Sequence, residues 1–145
     1  MNFIDPTAKL GKSVVVWHFA RVLAGAELGD NVSVGSGAEV GRNAIVGKNT
    51  RIGANVFIPA NAFIGPDVFI GPGAILTDDK HPVAGNKDYE ANPAAVMGGA
   101  SIGAGAILLP GVIVKHYARV GAGCIVTHDV LEHSVVYSKQ TNIQK

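Results

Sequence analysis

Every sixth residue from Ile4 onward is aliphatic: Ile4, Leu10, Val16, Val22, Leu28, Val34, Val40, Val46, Ile52, Ile58, Ile64, Ile70 and Leu76. The phase then breaks, and a second ladder runs through Val96, Ile102, Leu108, Val114, Val120 and Val126. Two residues before each rung stands a smaller side chain, such as Ala20, Ala26, Ala38, Ala100, Ala106 or Cys124. Three residues after it Gly, Asn or Asp predominates, as at Gly25, Asn31, Asn43, Asn49, Asn55, Asp67 and Gly105. Those residue types enter the left-handed backbone region at least cost. Pro72-Gly73 and Pro110-Gly111 add the order of a type II turn. Each hexad therefore reads as a short strand followed by a tight corner. An amphipathic helix would repeat at 3.6 and a simple strand at 2, so neither explains this spacing. Strand-and-corner hexads predict an all-β chain wound as a parallel β-helix, its narrow interior filled by the aliphatics. Three hexads close one triangular coil of about 18 residues. Ile4, Val22, Val40, Ile58 and Leu76 are then expected one above another on a single face.

The break in phase marks an excursion. Between Leu76 and Val96 the ladder position falls on Pro82, and the segment carries Asp78, Asp79, Lys80, Lys87, Asp88 and Glu90 together with His81 and Tyr89. Such residues cannot fill an apolar interior, so residues 77–95 are expected to extrude from a corner as a loop. A long loop on a rigid scaffold is a place where function concentrates, although a tolerated surface insertion would look the same. Two corners also depart from the pattern, with Phe19 and Tyr117 where Gly or Asn is expected. Trp17 and His18 follow the inward Val16 and point outward. Trp17, His18 and Phe19 exposed together would be an unusual apolar patch on a lone prism. They are expected to pack against another subunit, to form a platform for a ligand ring, or both.

Composition narrows the class. A length of 145 residues fits a single domain, 1–145, with residues 131–145 as a short C-terminal tail. The net charge of +1 gives no electrostatic reason to expect nucleic acid or an anionic membrane as partner. Mean hydropathy is +0.28, but the longest apolar stretch, 104–114, contains Gly and Pro and is far shorter than the ~20 residues that span a bilayer. Met1-Asn2-Phe3-Ile4-Asp5 shows no basic and apolar pattern, so no export signal is expected. A single cysteine cannot form an intrachain disulfide, which fits a reducing cytoplasm. Cys124 occupies the small inward position and reads as a core residue.

The run Val34-Gly35, Val40-Gly41, Val46-Gly47, Ile52-Gly53 resembles the hexapeptide-repeat family, whose β-helix is left-handed. The resemblance sharpens at Val16-Trp17-His18-Phe19-Ala20-Arg21-Val22 and Gly25-Ala26-Glu27-Leu28-Gly29, which look like the opening of N-acetyltransferases acting on nucleotide-linked 3-amino sugars. Thr77-Asp78-Asp79-Lys80-His81-Pro82 lies where those enzymes carry a Thr-Asn-x-x-x-Pro-like loop. Ala100-Ser101-Ile102-Gly103-Ala104-Gly105-Ala106, Tyr117-Ala118 with Val120-Gly121-Ala122-Gly123, and Val126-Thr127-His128-Asp129-Val130 resemble the C-terminal coils of hexapeptide acyltransferases. The likeness spans residues 10–130.

It implies a homotrimer with its sites in the grooves between adjacent β-helices, acetyl-CoA along the C-terminal coils, and a nucleotide-linked amino sugar as acceptor. No metal is expected. On this reading Gly99, Ser101, Gly103, Ala104, Gly121, Ala122, Thr127 and Lys139 meet the cofactor. Small residues let pantetheine approach the backbone, although each glycine has an equally good explanation as a turn. Lys115, Arg119 and Lys139 could meet the phosphates. Trp17, Arg21, Asp79 and Lys80 are the expected sugar-nucleotide contacts. The amine must be unprotonated to attack the thioester, and His81 is the expected base or orienter, with Asp78 beside it. Asp78 stands where the family usually has Asn.

The chain departs from the family elsewhere too. Val135-Val136-Tyr137-Ser138-Lys139-Gln140 replaces a Gly-x-Pro-Ala-Lys segment, His128 replaces a Lys, and Arg21 stands where relatives often carry His. Two other readings share the fold. A zinc site of the γ-carbonic-anhydrase kind would use His81 and His116, but its third ligand is missing because position 121 is Gly. The other is a trimeric scaffold without catalysis.

Overall fold

The computed structural model describes residues 1–140 and 142–144, so positions 141 and 145 of the expected tail lie outside the described residues. The chain winds as the expected left-handed parallel β-helix. Two-residue strands alternate with four-residue corners, and the strands stack into three parallel sheets, one for each face of a triangular prism. The first face begins at Phe3–Ile4, the second at Lys9–Leu10 and the third at Val15–Val16. Ile4 pairs with Val22, Val22 with Val40, and Val40 with Ile58, while Phe57 pairs with Ile75, so the predicted column is present. Pairing is long-range throughout. Each strand meets the one a full coil away rather than its neighbour in sequence.

The interior follows the two-ladder pattern, with small residues such as Ala20, Ala38 and Ala100 set between large ones such as Ile52, Ile58 and Leu108. Ile4 and Leu10 differ from the reading of a uniformly filled core, being 37% and 39% exposed. Among the described residues no coil lies beneath them, so this layer is covered from above only. Where glycine follows an aliphatic rung, as at Gly35, Gly41, Gly47 and Gly53, it also has a packing reason. A Cβ on Gly35 would stand 2.6 Å from the backbone nitrogen of Ala54 in the next coil. Stacked coils approach so closely there that no side chain fits.

The corners carry the positive φ values that the pattern predicts, at Asn31, Asn43, Asn49, Asn55, Asn61 and Asp67 among others. Phe19 and Tyr117 adopt the same conformation, with φ of 60° and 57°. Bulky residues there carry a steric cost. At the second–third edge the corner side chains form a ladder, Asn31 Nδ2 donating to Asn49 Oδ1 and Asn49 Nδ2 to the Asp67 carboxylate. The sole buried polar side chain among the described residues, Thr50, accepts from Val68 N–H and donates to the Gly65 carbonyl.

The excursion leaves the first–second edge between Ile75–Leu76 and Ala95–Val96. Its neck is closed by Asn92 N–H donating to the Asp78 carbonyl at 2.8 Å, and Ala94 N–H to that of Thr77 at 3.0 Å. Beyond it the stacking resumes in register, Ile64 pairing with Val96. A second irregularity, hidden in the sequence, follows Val126. The next inward residue is Val130, which is buried and bridges Val114. Four residues thus do the work of six, and Val135–Val136, within the segment read as a tail, pairs as a strand with Arg119–Val120. Among the described residues no helix is long and apolar enough to cross a membrane.

Candidate functional site

Three regions of the prism gather the candidate residues. The loop is the first. Asp79, Lys80, His81, Asn86, Tyr89 and Asn92 are among the residues lining a cavity of about 480 Å3. Asp79 Oδ1 accepts the N–H of His81 at 2.9 Å, an Asx turn that fixes the backbone leading into the imidazole. The His81 side chain is exposed. Asp78 is held twice, its carbonyl by Asn92 and its carboxylate by the Tyr89 hydroxyl, which donates to Oδ2. That bond and the nearby Asp78 and Asp79 charges push the Tyr89 phenol up to about 12. Tyr89 therefore stays a neutral donor across ordinary pH. Thr127 sits on the same flank of the prism and lines a cleft of about 500 Å3 with Lys80, His128 and Asp129.

The second region is the third–first edge of the upper coils. Ala104 and Ala122 are exposed there in successive coils, and a Cβ on Gly105 or Gly123 would meet nothing within 4 Å. This edge is bare backbone open to an approaching chain. Gly103 belongs to it but is also required by packing, since its Cβ would stand 2.3 Å from the nitrogen of Ala122. Gly121 lies under Tyr137. Ser101 points outward from the adjoining third face, and Lys139 follows Ser138, whose hydroxyl lies 3.5 Å from Cys124 Sγ. Gly99 lies apart, on the second–third edge, with the ring of Tyr117 directly against it.

The third region was not legible as a site in the sequence. On the third face Trp17, Asn31, Ser33, Asn49, Arg51 and Phe69 contribute to an open groove of about 710 Å3. Trp17, read as a sugar-nucleotide contact, is in it. Arg21, read likewise, is not: it stands on the first face with NH1 3.2 Å from Glu39 Oε2. Arg51 and Phe69 were missed because outward positions obey no period. The available signal was the eighteen-residue column that puts Ser33, Arg51 and Phe69 on successive rungs. Among the described residues no three His, Cys, Asp or Glu side chains form a group that could hold a metal ion.

A stack of hexad coils with an extruded loop and a bare small-residue edge is the architecture of a hexapeptide-repeat transferase. The family model "Bacterial transferase hexapeptide (six repeats)" matches residues 7–42 and 43–78. The chain belongs to this family. It is 48% identical over 143 residues to the dTDP-3-amino-3,6-dideoxy-alpha-D-galactopyranose 3-N-acetyltransferase of Aneurinibacillus thermoaerophilus, covering 99% of this chain and 74% of that one. A crystal structure of a hexapeptide transferase family protein from Anaplasma phagocytophilum superposes with a TM-score of 0.68 at 19% identity, covering 94% of this chain and 74% of the other. PerB from Caulobacter crescentus, solved with CoA and GDP-perosamine, gives 0.40 at 21% identity over 94% of this chain and 51% of its own.

Proposed function

We propose that this protein transfers the acetyl group of acetyl-CoA to the amine of a nucleotide-linked 3-amino sugar, in the cytoplasm, at sites shared between the subunits of a homotrimer. The observation that carries this reading is the 48% identity to a dTDP-3-amino-sugar N-acetyltransferase across 99% of the chain, a span that includes both the loop and the upper coils.

The amine lone pair attacks the thioester carbonyl, the tetrahedral oxyanion collapses with cleavage of the C–S bond, and CoA leaves as the thiol with the proton the nitrogen gives up. In this scheme His81 takes or directs that proton, being the imidazole of the loop cavity. Pantetheine lies along the bare edge formed by Ala104, Gly105, Ala122 and Gly123, where an extended chain can touch backbone.

The trimer has a geometric motive. In one chain the loop leaves the first–second edge while the bare strip runs along the third–first edge, so a single prism keeps the proposed base and the proposed thioester apart. Three copies around an axis set one edge against a different edge of the next copy. Ile45, Phe57, Phe63 and Ile75 point outward on the first and second faces and are each 39–45% exposed, an apolar surface suited to association.

The test is thiol release from acetyl-CoA against a panel of nucleotide-linked amino sugars, alongside light scattering for mass. The dTDP-3-amino-3,6-dideoxyhexoses are expected to release thiol, and the protein to run as a trimer. No release with any amino sugar would end the catalytic reading.

A further inference from the structure

The third face differs from the other two in how its lower half is charged. On the second face Lys9 pairs with Glu27 at 3.3 Å, and on the first Arg21 pairs with Glu39 at 3.2 Å. In each case the outward cation is neutralised by an acid one coil above. Arg51 holds the corresponding outward position on the third face, but its neighbours in register are Ser33 below and Phe69 above. It is exposed and makes no ion pair among the described residues. Around it lies the groove of about 710 Å3, within the ~300–1,000 Å3 of small-molecule sites. Trp17 stands at its lower end, 52% exposed.

We infer that this groove holds the nucleotide half of the acceptor, with the base against Trp17, the pyrophosphate on Arg51 and the hexose over Phe69. The inference rests on the acetyltransferase reading for the identity of the ligand and adds to it where that ligand lies. A guanidinium fork matches phosphate oxygens bidentately, and an unpaired one beside apolar rings is suited to a pyrophosphate. An indole gives a base a stacking surface that is tolerant of its identity.

The spacing agrees. Rungs of parallel strands stand ~4.8 Å apart. Trp17 follows Val16 in the coil two rungs below Arg51, a span of ~10 Å that suits a base and its pentose. Above, Phe69 pairs with Ser101, two rungs and again ~10 Å from Arg51, enough for a hexose ring to carry its amine to the level of Ser101. Ser101 adjoins Gly103 and Ala104, where the bare edge begins. One ligand laid along one column thus runs from an aromatic base platform to the strip proposed for the thioester.

Trp17 is the only tryptophan, so its emission reports on this groove in the unaltered protein. Titration with dTDP is expected to change Trp17 emission, and Arg51→Gln to weaken dTDP binding by about tenfold or more with acetyl-CoA binding unchanged. Lys9→Gln, which removes a cation on another face, is expected to leave dTDP binding as it was. Arg51 has no ion-pair partner among the described residues, so an unchanged melting temperature confirms that the variant is folded. The inference is overturned if dTDP fails to bind, if it binds without altering Trp17 emission, or if Arg51→Gln binds it as well as the parent. It is equally overturned if Lys9→Gln weakens binding as much as Arg51→Gln. Efficient sugar acetylation by Arg51→Gln with an unaltered KM would sink it while leaving the proposed activity standing. Emission changes without thiol release from any amino sugar would sink the activity and leave the groove a nucleotide site.

Discussion

The rings of Tyr117 and His133 lie nearly parallel, their centroids 5.1 Å apart and their planes 7° from coincidence. Both residues occupy corner positions with positive φ, 57° and 60°, and both continue the file of corner amides that begins at Asn31 and Asn49. Where the lower coils stack amides, the upper coils stack rings. The other face of Tyr117 is closed by Gly99, whose Cβ, were there one, would stand 2.4 Å from the ring. Gly99→Ala is therefore expected to cost about 1–3 kcal/mol from crowding in addition to the strain of its φ of +74°. Gly105→Ala isolates the strain, since Gly105 has a φ of +67° and open space where a Cβ would be. Thermal melting should place Gly99→Ala clearly below Gly105→Ala. Equal melting temperatures would show that the ring contact contributes nothing.

The Tyr89–Asp78 bond gives the loop a dependence on alkaline pH. The Tyr89 phenol is raised from 10.0 to about 12 by its bond to Asp78. A group whose folded value lies above its unfolded value stabilises fully below the unfolded value and ceases to do so as pH rises through the folded one. The Tyr89–Asp78 bond is thus intact below pH 10 and is lost on the way through about 12. Phenolate absorbance should show a step from Tyr89 near pH 12. Tyr89→Phe should remove that late step, and a late step that survives the substitution would assign it to another residue.

The uncapped lower end predicts unequal costs for one chemical change. Ile58 is fully buried, whereas Ile4 is 37% exposed. Ile58→Ala is expected to lose about 2–5 kcal/mol, the range for a cavity in a closed core. Ile4→Ala should lose roughly half of that or less, because solvent fills the space. Denaturant unfolding of the two variants decides the matter, and equal losses would mean that the lower end is covered in solution.

His81 is exposed, and among the described residues its ring makes no hydrogen bond or ion pair, so its removal separates chemistry from folding. His81→Ala is expected to lower kcat by at least about tenfold with trimer mass and melting temperature unchanged. An unaltered kcat would take the imidazole out of the reaction and leave solvent as the proton's destination.

The fold was legible because a narrow interior accepts few side chains, and it accepts them at fixed intervals. Ile52 and Ala38 had no freedom to be otherwise, and the sequence displays that constraint directly. Val130 escaped notice because the regular step from Val126 lands on Glu132, and only the bridge to Val114 shows which residue turned inward. The site was less legible for a different reason. Outward positions face solvent, so nothing imposes a rhythm on Arg51 or Phe69, and their meaning comes from which residues stand above and below them. Arg21 and Arg51 look alike in the sequence. Glu39 one coil above the first, and its absence above the second, is what separates them. The glycines carry a second constraint that the sequence does not separate from ligand contact, since a Cβ on Gly103 or Gly99 would crowd Ala122 or Tyr117 whatever ligand binds.

Pairing of Ile64 with Val96 in the same register as every other rung means that the solenoid does not count the residues it sends outside. A scaffold indexed by its backbone ladder lets the excursion from Leu76 change in length or chemistry without disturbing a single inward side chain. Acceptor preference can then be rewritten in that one segment while the spindle that displays it is inherited intact.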